Sequence, residues 1–157
     1  ARRRPVGENI QISRVMRWEA QGKCESYIHA GGKIAVLVDV DGEADEEYLK
    51  NLCMHVAAYS PQYVSPDDVP AEAVAKEKEI AAEQFKDKPA QAIEKIVEGK
   101  LEKHFSTVCL VDQAFVKQGD LAVKDHIATT AKALDDTITV DAFLRYQVGE
   151  TGEQPLV

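Results

Sequence analysis

Residues 31–42 read GGKIAVLVDVDG, and the change of pattern across this stretch decides the fold that we predict. The paired glycines favour a tight turn, and residues 33–40 form an apolar strand that pairs with another strand over residues 24–29. After Gly42 the apolar residues recur three and four positions apart, at Tyr48, Leu49, Leu52, Cys53, Val56 and Ala57. That period predicts a helix that begins near Asp45 and ends before Pro61.

The segments on either side extend this sheet-and-helix pattern. Residues 9–18 are largely alternating and rich in β-branched side chains, so we predict a strand there that Gly22 closes. Three prolines make residues 60–70 a connection. Towards the end of the chain we predict a helix over about residues 121–134 and a last strand over residues 138–148.

Residues 71–105 have a different composition, dominated by Ala, Glu and Lys. This region predicts two helices, joined by a short link at residues 86–88, and Pro89 suits the first turn of the second helix. So short a link favours an antiparallel pair. Each helix has only a thin apolar stripe, with Val74, Ile80 or Ala81, and Phe85 in the first. The pair therefore either projects as an arm or lies flat on the sheet.

Taken together, these elements predict an α+β fold in which a small antiparallel sheet packs against helices. The helical hairpin of about residues 71–105 is inserted into it. We expect residues 1–157 to form a single domain, because a chain of this length and composition suits one core.

The charge and cysteine content exclude several classes of protein. Acidic residues outnumber basic ones by 27 to 19, and the net charge of −8 argues against direct binding of nucleic acid. The apolar runs are too short to cross a membrane. Three scattered cysteines, Cys24, Cys53 and Cys109, predict buried, reduced thiols without a disulfide framework.

Residue patterns typical of enzymes are missing from the sequence. The four histidines show no metal-binding spacing, and neither phosphate-binding glycine motif is present. No nucleophile motif occurs. We therefore predict no catalytic residue, no metal and no cofactor, and we interpret the chain as a protein-binding module rather than an enzyme.

Several segments, in order, carry a resemblance to a known family. They are GENI at residues 7–10, YIH at 27–29 with IAVLV at 34–38, MHVAA at 54–58, IVEGKLEK at 96–103, QAFV at 113–116 and FLRYQVG at 143–149. The chain resembles the translation elongation factor Ts family, in the C-terminal half of its core or dimerisation region. The likeness runs from about Val6 to Gly149, nearly the whole chain.

This resemblance implies guanine-nucleotide exchange on elongation factor Tu. Members of the family bind the GDP-bound GTPase, distort its magnesium and phosphate site, and so accelerate loss of GDP without making or breaking a bond. Carried over position by position, the partner-binding residues are Val6, His29, Phe115 and Val116. Lys117 stands where some relatives have an apolar residue.

Two departures from the family pattern lead to further expectations. The N-terminal three-helix module and the T-D-F-V wedge are missing, and the nearest local echo of the wedge is EADE at residues 43–46. We therefore expect a fragment that binds elongation factor Tu weakly and exchanges GDP poorly. The alternative is a scaffold or dimerisation module without exchange activity. The expected location is the cytoplasm, or a plastid or mitochondrial matrix, and a homodimer stays open.

Overall fold

The computed structural model of the protein describes residues 12–150. Its elements are β1 (Lys23–His29), β2 (Ile34–Asp41), α1 (Glu46–Tyr59), α2 (Ala71–Gln84), α3 (Ala90–Val108), β3 (Ala114–Phe115), β4 (Gln118–Ala122), α4 (Val123–Leu134) and β5 (Thr139–Gln147). Single 3₁₀ turns precede α2 and β3. The main sheet is antiparallel in the order β1-β2-β5, and β3 pairs with β4 in a separate hairpin. The predicted α+β class is confirmed.

The central strand β2 supplies one side of the core. Val36, Val38 and Val40 alternate along it and are each at most 2% exposed, because alternate residues of a strand face the same side. Phe143 of β5 pairs with Val38 in the ladder and so joins this face. Against it packs α1, whose Leu52 is fully buried in the same cluster. The predicted hairpin and its covering helix are confirmed.

Helix α1 begins and ends close to the predicted positions. The Asp45 carboxylate caps its start by accepting the backbone N–H of Tyr48 at 2.7 Å. Its end lies at Ser60, whose φ of 50° is left-handed, directly before Pro61. The cap and the proline are local signals, which is why the sequence located both ends.

The strand predicted over residues 9–18 is wrong where the structure describes it, from residue 12 onward. That segment forms no ladder. Within it, the Arg14 guanidinium lies 4.4 Å from the centre of the Tyr146 ring. Directly after it, the Asp39 carboxylate accepts the N–H groups of Gln21 and Gly22. The alternation does not produce a buried apolar face, since Ile12 is 82% and Val15 83% exposed.

We call α2 and α3 together the arm. They pack on each other, and only Ala81 in α2 and Val108 in α3 are buried. A helix lying on a sheet buries a whole stripe, as α1 does, so the projecting arrangement is the one observed. The arm joins the body through a small second core around Val69, Val108 and Cys109.

The last part of the chain contains the β3–β4 hairpin, which was not predicted, and differs from prediction in one helix boundary. Helix α4 begins at Val123 rather than near Leu121, because Leu121 lies in β4. Strand β5 occupies the predicted position. None of the described helices is both long and apolar enough to cross a bilayer.

Candidate protein-binding site

His29 ends β1 and is exposed to solvent. Its Nδ1 lies 3.0 Å from the hydroxyl of Tyr27, two residues earlier on the same face of the strand. Tyr27 packs against the main core, on the face that α1 covers. The predicted contact residue His29 therefore projects from the α1 side of the sheet, and its ring is steadied by a half-buried tyrosine.

Helix α1 runs along the sheet towards the end that carries His29. Near its start the Lys23 ammonium donates to the carbonyl of Ala44 at 3.3 Å. Further along, the Cys53 thiol donates to the carbonyl of Glu25 at 3.5 Å. Since Glu25 is closer to His29 than Lys23 is, the last turns of α1 approach the hairpin end of the sheet.

The turn between β3 and β4, residues 116–117, meets α1 in its last turns. The backbone N–H of Val116 donates to Nδ1 of His55 at 3.1 Å, while the Val116 side chain is 36% exposed. Phe115, by contrast, is 1% exposed and lies in the core. Val116 is available for a partner in this structure, whereas the ring of Phe115 supports the turn from below.

His55 is the centre of this region and was not predicted as a site residue. It is fully buried, and its Nε2 lies 2.9 Å from the amide oxygen of Gln113. Gln113 is also buried, with an exposed fraction of 3%. Burial lowers the pKa of His55 below its ordinary value, and the hydrogen bond to Gln113 opposes that shift only in part. The ring is therefore neutral at pH 7, with one nitrogen donating and the other accepting.

We expect the stability of the protein to fall as the pH drops below about 6.5, the ordinary pKa of histidine. The unfolded chain takes up a proton at His55 there, whereas the folded chain resists protonation until a lower pH. Below pH 6.5 the unfolded state therefore binds more protons than the folded state. The contribution of neutral His55 to the free energy of unfolding is complete above about pH 6.5, and it is lost as the pH falls towards the pKa of His55 in the folded protein. The slope is at most about 1.4 kcal/mol per pH unit.

Urea unfolding at pH 7.5 and 5.5 measures this effect, with His55→Asn as the comparison. The difference between the two pH values should be larger in the unsubstituted chain. Equal pH dependence of the two proteins would assign the loss of stability to other groups.

The sequence contains one signal of this arrangement, which is the position of His55 in α1. Position 55 lies three residues after Leu52, on the edge of the apolar stripe of α1. A polar side chain there has to find a hydrogen-bond partner if it is buried. The sequence could thus flag His55, but it could not identify the partner.

The remaining predicted site residues and thiols fall into separate places. Val6 lies outside the described residues. Within residues 12–150, no hydrogen bond or ring contact joins His29 to Phe115 or Val116. Across the same range, no group of three His, Cys, Asp or Glu side chains could hold a metal ion.

The three cysteines are unpaired. Cys53 and Cys109 are buried as predicted, whereas Cys24 is exposed, so its predicted burial is wrong: it lies on the face of β1 opposite α1. Burial raises the pKa of both Cys53 and Cys109 to about 12. At neutral pH these two thiols stay protonated and are poor nucleophiles.

Comparison with known proteins identifies the family. Residues 2–150 match the sequence model of the family described as Elongation factor TS. A protein of Halothermothrix orenii named elongation factor Ts is 43% identical over an alignment of 150 residues, which covers 92% of this chain and 48% of that relative. The same-named protein of Clostridioides difficile is 42% identical over an alignment of 151 residues, which covers 92% of this chain and 50% of the relative.

A third relative is covered more fully. The elongation factor Ts of Koribacter versatilis is 43% identical over an alignment of 160 residues, which covers 96% of this chain and 73% of that protein. The chain thus spans about half the length of the first two relatives and most of the third.

Proposed function

This chain belongs to the elongation factor Ts family, and on that basis we propose that it binds elongation factor Tu and promotes the release of GDP from it. The observation that carries the proposal is the match over residues 2–150. The exposure of His29 and Val116 supports it, since both positions that the resemblance assigns to the partner are accessible.

Exchange of this kind requires only a difference in affinity. If the chain binds the nucleotide-free GTPase more tightly than the GDP-bound form, then GDP and the chain weaken each other's binding by the same factor. Binding therefore shifts the GTPase towards the conformation that holds GDP poorly. This activity would take place in the cytoplasm, or in a plastid or mitochondrial matrix.

We propose that the contact surface lies at the hairpin end of the sheet, on the α1 side. His29 and Val116 would touch the partner. Phe115, being buried, would act by supporting Val116. Val6 remains part of the proposal from the family resemblance alone.

Two measurements test the proposed function. Calorimetry with GDP-loaded and nucleotide-free elongation factor Tu should give tighter binding to the nucleotide-free form. Release of fluorescent GDP should accelerate when the chain is added, although less than with a relative of twice the length. Equal affinity for the two forms, with no acceleration, would contradict exchange.

Size-exclusion chromatography with and without the GTPase distinguishes the proposed function from the alternative, a scaffold or dimerisation module without exchange activity. A scaffold or self-associating module would not change its elution volume when elongation factor Tu is present. The run without the GTPase also reports whether the chain is a monomer or a dimer.

We expect His29→Ala to weaken binding of elongation factor Tu about tenfold, the usual effect of removing an important interface side chain. The matched control is Ile28→Ala, because Ile28 is 69% exposed on the same strand and faces the opposite side of the sheet. Calorimetry should show near-normal affinity for the control. Equal losses in the two variants would move the contact surface away from the α1 side.

A further inference from the structure

A row of hydrogen bonds crosses the core from the end of the arm to the β3–β4 turn. The amide nitrogen of Gln113 donates to the carbonyl of Thr107, in the last turn of α3, at 2.7 Å. The amide oxygen of Gln113 meets Nε2 of His55 at 2.9 Å. On its other side, His55 accepts the backbone N–H of Val116. The row thus joins the end of α3 to the nearby β3–β4 turn through His55 of α1, which is distant from both in the sequence.

The donors and acceptors of this row fit in one direction only. The Thr107 carbonyl can only accept, so the amide nitrogen of Gln113 faces it and the amide oxygen faces His55. At the far end the Val116 N–H can only donate. His55 must therefore carry its proton on Nε2 and leave Nδ1 free to accept. A single neutral tautomer satisfies every group in the row.

Aromatic rings hold the imidazole in place. Tyr59 stacks on His55 with ring centres 4.7 Å apart, and Phe115 lies on it at 5.8 Å. His126 of α4 in turn packs on Phe115 at 4.4 Å. The side chains that are hydrogen bonded to or stacked on His55, namely Tyr59, Gln113 and Phe115, are uncharged. Because the ring is held in this way, Nδ1 of His55 has a fixed position, and the Val116 N–H of the turn donates to it.

The turn has little other backbone support. Strand β3 has only two residues, and the register of its pairing with β4 shifts between Ala114 and Phe115. Beyond Phe115, which pairs with Gln118, the chain reverses at Val116 and Lys117. The Val116 N–H lies outside the β3–β4 ladder, so its bond to His55 connects the exposed turn to α1.

We propose that His55 is a positioning residue, which together with Gln113 holds the partner-facing turn at Val116 in a fixed place relative to the base of the arm. The proposal rests on the proposed function for the identity of the partner. It adds that His55, although fully buried, controls how Val116 is presented. Thr107 provides the fixed end of the row, because a carbonyl in the last turn of a helix has no partner within the helix.

Two substitutions at position 55 distinguish positioning from packing. In His55→Asn the side-chain oxygen lies where Nδ1 was and can still accept the Val116 N–H. In His55→Gln the amide instead reaches the position of Nε2, so the bond to Gln113 survives and the bond to Val116 is lost. Gln is the larger side chain and leaves the smaller cavity. If His55 acts by packing alone, the Val116 amide should be better protected from exchange in the Gln variant. If His55 positions the turn, this amide should be better protected in the Asn variant.

Hydrogen exchange of the Val116 amide, followed by NMR on the chain alone, is the first readout. Loss of one hydrogen bond should make this amide exchange about tenfold faster in the Gln variant than in the Asn variant. Equal rates, or slower exchange in the Gln variant, would overturn the proposal. If neither variant folds, the nitrogen shifts of His55 in the unsubstituted protein decide, because a proton on Nδ1 is incompatible with the row.

Calorimetric titration with nucleotide-free elongation factor Tu is the second readout. We expect the Gln variant to bind about tenfold more weakly than the Asn variant. The unsubstituted chain could fail to bind the GTPase while the Val116 amide still exchanges faster in the Gln variant than in the Asn variant. The proposed function would then fail, and the positioning of the turn would stand. If the chain binds and the two variants bind equally, the link between His55 and partner binding is refuted.

Discussion

Replacing Gly42 with alanine should lower the free energy of unfolding by about 3 kcal/mol or more, because two separate penalties add at this position. Gly42 has a φ of +105°, which side chains rarely adopt. A Cβ there would also overlap the carbonyl oxygen of Thr137 and lie 3.1 Å from its carbonyl carbon. Neither backbone can easily move, since Gly42 follows β2 and Thr137 precedes its ladder partner β5. Urea unfolding measures the loss.

Two other glycines separate these penalties. Gly32 has a φ of +92° but open space around it, so Gly32→Ala should cost only about 1 kcal/mol. Gly99 lies within α3 and is also open, so Gly99→Ala should stabilise by about 0.8 kcal/mol through helix propensity. A cost at Gly42 no larger than that at Gly32 would show that the backbone contact with Thr137 is not limiting.

Val116→Asp should weaken binding of elongation factor Tu by about a hundredfold while leaving the fold intact. At the proposed contact, a buried charge without a partner has a large desolvation cost. Val116 is 36% exposed in the free protein, so a charged side chain there can reach water. The hydrogen bond to His55 uses the backbone N–H, which the substitution keeps. Calorimetric titration and a thermal unfolding curve together measure both parts of this expectation.

Leu134→Asp is the matched control. Leu134 is an apolar residue that is 45% exposed, but it ends α4 and is not among the proposed contacts. Its substitution should leave the affinity unchanged. Similar losses for the two variants would indicate a nonspecific effect of added negative charge on a chain whose net charge is already −8.

The main elements could be predicted because each depends on local patterns. The period of apolar residues, the Asp45 cap and Pro61 define α1, and thin stripes define the helices of the arm. The strand predicted over residues 9–18 failed because alternation shows which side chains could share a face, but not whether a neighbouring strand is there to pair with. Here the contact of Arg14 with Tyr146 takes the place of a ladder, and Asp39 binds the backbone directly after the segment.

The candidate site was harder to predict because its contacts are remote in sequence. His55 lies 58 residues from Gln113 and 61 from Val116. Family resemblance selected Phe115 and Val116 together, yet the structure gives them different surroundings, one in the core and one at the surface. Neighbouring residues of a strand point to opposite sides, but only the packing of α1 and α4 determines which side is the interior.

The arm's attachment at one end makes it a lever. Helix α3 has 19 residues, so it is about 28 Å long. With its base held by the small core around Val69 and Cys109, a tilt of about 10° there displaces the far tip by about 5 Å. Thr107 lies at the pivot. A slight repacking under the arm is thus amplified at its tip, and the hydrogen bonds running from Thr107 to Val116 connect that pivot with the surface on the other side of the core.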